Sequence, residues 1–152
     1  MASPTTLPSV TVIVVNHDGG DHVRRCLACL AAQTHPPEAV LLIDNASRDG
    51  SADACEQAVA ATPALAARTR LLRLAVNEGF AAANNRGIAM ADTECVALLN
   101  PDAFPTPGWL EALLRAAARH PEAAAFGSRQ MLAVRPDVIE IEPVSAVDTP
   151  AE

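Results

Sequence analysis

Short apolar runs separated by stretches of helical periodicity constrain the fold of this 152-residue chain most strongly. Four such runs have the length of strands and lie at 10–15, 39–43, 70–74 and 95–99. Most are continuous rather than alternating, which is typical of strands covered on both faces of a sheet. Strands that alternate with helices at this spacing predict βαβ units, a mainly parallel sheet and right-handed crossovers.

Helical patterns fill the intervals between the runs. They predict helices over about 22–32, 51–61 and 80–91, and a fourth after Pro107 that ends near His120. Asp21 and Asp49 are the expected caps of the first two helices, and Pro107 suits a first helical turn. The third run is less apolar than the others, so we expect it near an edge of the sheet.

The pattern weakens toward the end of the chain. A fifth strand is expected at 123–127 and one more at 138–141. From residue 132 onward three prolines interrupt a segment rich in Asp and Glu. We therefore expect one α/β domain over 1–131, followed by an irregular acidic tail over 132–152.

Composition excludes several classes of function. Eleven basic residues face eighteen acidic ones, and the net charge of -7 gives no basic surface for nucleic acid or anionic lipid. No run approaches the roughly 18 apolar residues of a membrane span. The first eight residues lack the basic flank and apolar core of a signal peptide, so a cytoplasmic protein is expected.

The four cysteines are Cys26, Cys29, Cys55 and Cys95. Cys26 and Cys29 form a C-x-x-C pair inside a predicted helix rather than at its start, where a thiol pKa would be lowered. Only His22 is nearby as a further zinc ligand. We expect structural, reduced cysteines; a redox or metal role is the alternative.

An Asn or Asp follows each of the four runs. Since the carboxyl ends of parallel strands meet at one edge of a sheet, these polar groups should converge where open α/β sheets bind ligands. Ordinary turn and cap preferences are the alternative explanation for any single position. The residues concerned are Asn16, Asp44, Asn45, Asn77, Asn100 and Asp102.

The usual phosphate-binding motifs are absent from the sequence. No G-x-G-x-x-G follows the first run, and the chain contains no lysine, which excludes a P-loop. The G-x-S-x-G of a hydrolase nucleophile is missing as well. A bound diphosphate would therefore need another source of positive charge, and a divalent cation held by a carboxylate can supply it.

Four ordered motifs carry a family resemblance: V-V-N at 14–16, I-D-N-A-S-R-D-G-S at 43–51, N-E-G-F-A-A-A-N-N-R-G at 77–87 and L-N-P-D at 99–102. Over about residues 10–131 the chain resembles the family 2 glycosyltransferases, in particular the rhamnosyltransferase-like branch that builds bacterial surface polysaccharides. The resemblance implies a Rossmann-like GT-A fold with helices on both faces of the sheet and a truncated C-terminal part.

The resemblance also implies roles for individual residues toward a UDP- or dTDP-sugar. Asn16 should border the nucleotide, and Asp44 should accept the imide N–H of uracil or thymine. Asn77 and Asn84 should line the nucleotide pocket. Asn84 has a structural alternative, because it lies one turn from Phe80 and can tie the helix to the preceding loop.

Asn100 and Asp102 stand where the family has its D-x-D motif. Asn100 can still hydrogen-bond ribose or phosphate, but it supplies no charge. Asp102 alone should therefore hold Mg²⁺ or Mn²⁺ against the diphosphate. The family inverts the anomeric centre, with a carboxylate that deprotonates a glycan or lipid-linked acceptor. No residue here matches that general base.

Three interpretations follow from the missing base. The chain is the donor-binding half of a transferase, or a short transferase completed by a partner, or a nucleotide-binding or interaction module derived from a transferase. A homodimer would cover the apolar surface that a missing half leaves exposed.

Overall fold

A four-stranded parallel sheet lies at the centre of the computed structural model, which describes residues 6–132 and 135–140. Its strand order is β3-β2-β1-β4, so the third strand lies at an edge as the sequence predicts. The strands are β1 Val10–Asn16, β2 Ala39–Asp44, β3 Thr69–Arg73 and β4 Cys95–Leu99. All three strand pairings are parallel, which confirms the mainly parallel α/β architecture.

In the described part of the chain, five helices surround the sheet, and they cover both of its faces as expected. Their bounds are α1 Gly20–Ala31, α2 Ser51–Ala60, α3 Pro63–Ala66, α4 Phe80–Met90 and α5 Trp109–Arg119. One face packs against α1, α2, α3 and α5, with Val12, Val14 and Leu42 of the sheet in the same cluster as Leu27, Leu30 and Leu110. The other face packs against α4.

The central strands β1 and β2 are buried almost throughout because apolar side chains leave both of their faces. On the α4 face Ile13, Val15 and Ile43 pack around Ala83. Gly87 lets α4 approach closely, since a Cβ there would lie 2.8 Å from Ile13 Cγ2. The backbone of α4 therefore sits directly on β1.

Two predicted helix starts are wrong in detail. The helix α1 begins at Gly20, and Asp21 lies in its first turn without capping it. The carboxylate of Asp49, from the loop after β2, instead accepts the N–H of Gly20 at 2.9 Å. The second error concerns Pro107, which was expected in the first turn of the last helix but lies two residues before α5. Its carbonyl accepts the backbone N–H of Thr34 at 2.8 Å.

The segment after α5 also differs from the prediction. Residues 123–127 form no strand and are exposed. Four of these five residues are Ala or Gly, which favour strands little and offer little side chain to bury, and the ring of Phe126 is 38% exposed. An antiparallel pair follows, made of β5 Gln130–Leu132 and β6 Arg135–Glu140. The strand predicted at 138–141 thus lies within β6 as far as Glu140, and Ile141 falls outside the described residues.

All four cysteines are free thiols, and Cys26 and Cys55 are buried. Burial raises the pKa of Cys26 to about 12, so this thiol stays protonated near neutral pH. Cys26 packs in the core beside Val23 and Leu27, in agreement with the structural role predicted for it. Within the described residues no helix is both long and apolar enough to cross a membrane.

Candidate functional site

A cavity of about 530 Å³ opens beyond the carboxyl ends of β1, β2 and β4. This is the edge at which parallel α/β sheets bind their ligands. Its wall is formed by the loops after all four strands and by the first turns of α1 and α4. The lining residues are Val15, His17, Asp18, Gly19, His22, Asn45, Asn77, Gly79, Phe80, Asn100, Pro101 and Asp102.

The family resemblance gives six residues a role toward the nucleotide sugar, and three of these six line the cavity: Asn77, Asn100 and Asp102. Asn16, Asp44 and Asn84 do not line it. Asp44 is only 4 % exposed, and Asn16 is fully buried. The assignment of these three as nucleotide contacts stays a prediction; the structure gives each of them partners within the protein.

Asn16 and Asp44 form a buried polar pair beneath the cavity. They are register partners at the ends of β1 and β2, so their side chains leave the sheet on the same face. Asn16 Nδ2 lies 2.9 Å from Asp44 Oδ1 and equally close to Ser51 Oγ. Asp44 Oδ2 accepts the backbone N–H of Ser47 at 3.1 Å. The pair therefore fastens the loop after β2 to the end of β1.

The other side-chain atom of Asn16 explains a glycine. Asn16 Oδ1 is buried and has no hydrogen-bond partner among the described residues. A Cβ on Gly19 would lie 2.4 Å from this oxygen, which is closer than any real contact of that kind. The first turn after β1 can thus pass over Asn16 only because residue 19 has no side chain.

The loops after β1 and β2 hold each other by reciprocal hydrogen bonds. Asp18 Oδ1 accepts the backbone N–H groups of Arg48 at 2.6 Å and Asp49 at 3.2 Å. In return, Asp49 Oδ2 accepts the N–H of Gly20. Hydrogen bonds from Ser51 hold the pKa of Asp49 below its ordinary value. Asp18 adopts φ = 50° for this contact, an uncommon backbone conformation for a residue with a side chain.

A network of two asparagines joins the floor of the cavity to the loop before α4. Asn45 Nδ2 donates to Asn77 Oδ1 at 2.9 Å, and Asn45 Oδ1 accepts the N–H of Glu78 at 2.9 Å. Asn77 Oδ1 also accepts the N–H of Gly79 at 2.9 Å. Because a backbone N–H can only donate, the atoms facing Glu78 and Gly79 must be the side-chain oxygens, which determines the orientation of both the Asn45 and the Asn77 amide. The Asn77 carbonyl has two donors already, so its NH₂ group is what remains for a ligand.

The start of α4 is stabilised on its outer side. Glu78 and Arg86 form a two-point ion pair, with both N···O distances at 2.6 Å. Asn84 Nδ2 donates to the carbonyl of Phe80 at 2.9 Å, one turn earlier in the same helix, so its amide stabilises the first turn of α4 rather than a contact with the preceding loop. Phe80 itself lines the cavity and is 59 % exposed. It thus presents an apolar ring beside the asparagines.

The cavity wall opposite is formed by the loop after β4. Asp102 is exposed, and within the described part of the chain its carboxylate has no hydrogen-bond or ion-pair partner. The cavity also contains the Asp18 carboxylate and the imidazoles of His17 and His22, and no arginine is among the described side chains that line it. An anionic ligand would therefore meet two carboxylates here unless a cation accompanied it.

The residues do not form a complete metal cage. In the described residues no group of three or more His, Cys, Asp and Glu side chains could hold a metal ion. Asp102 alone still suits a hard cation such as Mg²⁺ or Mn²⁺, since these ions are commonly bound by one or two carboxylates together with substrate phosphates and water. The residues present therefore fit a cation that arrives with a diphosphate.

The sequence prediction missed several cavity residues, among them His17, Asp18, His22 and Phe80. Asn45 was among the polar residues expected at this edge. It lines the cavity while Asp44 does not, because adjacent residues of a strand point to opposite faces and Asp44 shares its face with the buried Leu42. Asp18 carries no such signal. Its place depends on contacts with backbone N–H groups of another loop.

The parallel sheet, its two-sided helix cover and the cavity at its carboxyl edge define a ligand-binding α/β domain of the Rossmann-like type. The chain belongs to glycosyl transferase family 2, whose family model matches residues 10–136. This confirms the family that the four motifs indicate, and the solved structure described below supports its GT-A fold.

Two relatives of known sequence illustrate the relationship. N-acetylglucosaminyl-diphospho-decaprenol L-rhamnosyltransferase of Mycobacterium tuberculosis is 38% identical over 76% of this chain and 39% of its own length. Glycosyltransferase AglE of Haloferax volcanii is 32% identical over 70% of this chain and 34% of its own. The chain thus spans well under half of these relatives.

A solved structure has the same fold. It is the mannosyltransferase PcManGT of Pyrobaculum calidifontis in complex with GDP-Man and Mn²⁺. It superposes with a TM-score of 0.66 and 27% identity, covering 76% of this chain and 33% of that one.

Proposed function

We propose that this chain forms the nucleotide-sugar-binding part of a metal-dependent glycosyltransferase that uses a UDP- or dTDP-sugar. One observation carries the proposal: a single cavity at the carboxyl edge of the sheet brings together Asn77, Asn100 and Asp102. These residues come from two separate motifs, and a nucleotide sugar needs a base site and a diphosphate site in one groove. Membership of glycosyl transferase family 2 supports the same reading.

The diphosphate end of the donor lies at Asp102 in this proposal. Asp102 is exposed in the cavity and free of protein partners in the described region, so its charge is available to Mg²⁺ or Mn²⁺. The Mn²⁺ in the similar mannosyltransferase supports a cation in this fold. When bound, the cation would act as a Lewis acid toward the leaving diphosphate. Asn100 would contribute hydrogen bonds to ribose or phosphate.

The base end lies at Asn77. Since the Asn77 carbonyl already accepts from Asn45 and Gly79, its NH₂ group would donate to a carbonyl of the base. Asp44 would act from below by holding Asn16 and the loop at Ser47. The exposed ring of Phe80 offers an apolar surface next to Asn77 for the donor.

Asn77→Asp tests this base site. The change keeps the size of the side chain but replaces the donor NH₂ by an acceptor oxygen. We expect UDP affinity to fall roughly tenfold, about the effect of leaving one ligand acceptor unpaired beside a charge. Isothermal titration calorimetry measures this. Asn85→Asp, on the exposed side of α4, is the matched control and should bind UDP like the wild type.

The reaction is the transfer of the sugar, with inversion, in the synthesis of a surface polysaccharide. The similarity to a rhamnosyltransferase that acts on a diphospho-decaprenol acceptor supports a lipid-linked or glycan acceptor and suggests rhamnose as the sugar. Inversion requires a carboxylate that deprotonates the acceptor hydroxyl.

A nucleotide-binding module without transferase activity is the second candidate. It is favoured because neither of the two cavity carboxylates is available as a general base. Asp18 Oδ1 already accepts two backbone N–H groups, and Asp102 is assigned to the cation. No further carboxylate of the described residues lines the cavity as a base. Turnover of a nucleotide sugar with an acceptor by the purified chain would exclude this candidate.

Calorimetric titration of the wild type with UDP, dTDP and GDP, each with and without Mn²⁺, tests the binding function. We expect UDP or dTDP to bind, and Mn²⁺ to strengthen the binding. Uridine lacks the diphosphate and should show no response to Mn²⁺. Absence of heat with all three diphosphates at millimolar concentration would contradict the proposal.

A further inference from the structure

The loop that carries Asp102 is held by one face of α1. At the beginning of this loop, the Cys26 thiol lies 3.5 Å from the carbonyl oxygen of Asn100 and donates to it. The same carbonyl accepts the N–H of Ala103 at 3.1 Å, which closes a turn around Asp102. The start of the loop is therefore anchored to the core of the domain.

The end of the loop is anchored by an aromatic ring. The Phe104 ring lies under the Arg25 guanidinium, whose central carbon is 4.0 Å from the ring centroid. His22 approaches the same ring with a centroid distance of 6.0 Å and an interplanar angle of 36°. Since His22, Arg25 and Cys26 are spaced i, i+3 and i+4 on α1, they share one side of the helix.

Asp102 depends on these anchors for its position. Its side chain is exposed and makes no hydrogen bond or ion pair with the described side chains. Its location is therefore set by the backbone of the turn between Asn100 and Phe104. A carboxylate that samples several positions binds a cation more weakly, because binding must then also offset the entropy lost when the side chain is ordered.

We infer that Arg25 is a positioning residue for Asp102, acting through Phe104. This inference rests on the proposed function, in which Asp102 contacts the cation. Arg25 does not line the cavity itself; it lies along a groove between α1 and the α2–α3 region. The guanidinium holds the Phe104 ring by a cation–π contact, and the ring in turn fixes the end of the turn that carries Asp102.

The adjacent arginine provides a matched control. Arg24 is also exposed on α1, but its guanidinium pairs with Asp21 at 3.1 Å and contacts no aromatic ring of the described residues. Arg24→Ala therefore removes a similar charge from the same helix without touching Phe104. Arg25→Lys keeps a cation that can lie over the ring.

Fluorine NMR tests the contact and its effect on the metal. The chain has three phenylalanines, so labelling with 4-fluorophenylalanine gives three resonances that single substitutions can assign. Mn²⁺ at Asp102 should broaden the Phe104 resonance strongly. In Arg25→Ala we expect the Phe104 resonance to move and its broadening to require about fivefold more Mn²⁺, while Arg24→Ala behaves as wild type.

Calorimetry with UDP supplies the second readout. In Arg25→Ala the strengthening of UDP binding by Mn²⁺ should fall about fivefold, with the metal-free affinity unchanged and Arg25→Lys restoring most of the loss. A purely structural role would lower both affinities together, and that result would overturn the inference. Unchanged Mn²⁺ broadening of Phe104 in Arg25→Ala would overturn it as well.

The two measurements separate this inference from the proposed function. If wild-type UDP binding fails while Mn²⁺ still broadens Phe104 in an Arg25-dependent way, the proposed nucleotide is wrong and the positioning role stands. If Mn²⁺ broadens no Phe104 signal in the wild type, the positioning role is wrong.

Discussion

Gly19 is required by a contact rather than by its backbone angles. Its φ of −78° is accessible to any residue, but the buried Asn16 Oδ1 occupies the space where a side chain would begin. Asn16 cannot move aside freely, because its amide nitrogen is held by Asp44 and by two serine hydroxyls. One glycine therefore allows the loop after β1 to close over the polar pair beneath the cavity.

Gly19→Ala should lower the free energy of unfolding by about 1–3 kcal/mol, as overpacking in a well-packed interior does. Urea denaturation followed by circular dichroism measures it. Gly127→Ala is the control, because a Cβ at Gly127 meets nothing within 4 Å. Equal stability of the two variants would show that Asn16 moves at little cost.

At the scale of elements, the strands were predictable because their apolar runs match the burial of β1 and β2 on both faces. The first residue of α1 was not, because the group that receives the Gly20 N–H is the Asp49 carboxylate from a distant loop. In the site, too, residues placed by contacts between distant loops could not be predicted. Asn77 and Asp102 were found from their place after strands, whereas Asp18 is in the cavity because of loop–loop contacts.

Helix α4 offers a test of close packing. Gly87→Ala improves helix propensity by about 1 kcal/mol, yet the new Cβ would lie 2.8 and 2.9 Å from side-chain atoms of the buried Ile13. We expect overpacking to exceed the gain and the variant to unfold about 1–2 kcal/mol more easily. Asn85→Ala, at an exposed position of α4, should be neutral or slightly stabilising. A stabilised Gly87→Ala would mean that α4 is held less tightly against β1.

For the whole molecule, two partly exposed, ion-paired glutamates each make a small, pH-dependent contribution to stability in acid. The hydrogen bond from Arg86 lowers the pKa of Glu78, and the one from Arg115 lowers the pKa of Glu111. A carboxyl whose pKa is lowered by folding contributes stability that is fully present above its unfolded pKa. That contribution is lost as the pH falls through the folded pKa.

Glu78→Gln should therefore be less stable than the wild type at pH 7, and the difference should shrink as the pH falls below the ordinary Glu value of 4.5. Arg86→Gln should give the same pH dependence, and the double variant should be no worse than either single one. Thermal unfolding between pH 3 and pH 7 measures this. A difference that is constant with pH would show that the ion pair does not cause it.

In the proposed function, a cation links Asp102 to a nucleoside diphosphate. The most direct measurement is the ratio of UDP affinities with and without Mn²⁺, determined by calorimetry for the wild type and for Asp102→Asn. We predict that Mn²⁺ strengthens UDP binding at least about tenfold in the wild type and has almost no effect in Asp102→Asn. Asp21→Asn, outside the cavity, should keep the wild-type ratio. An undiminished Mn²⁺ effect in Asp102→Asn would contradict the account.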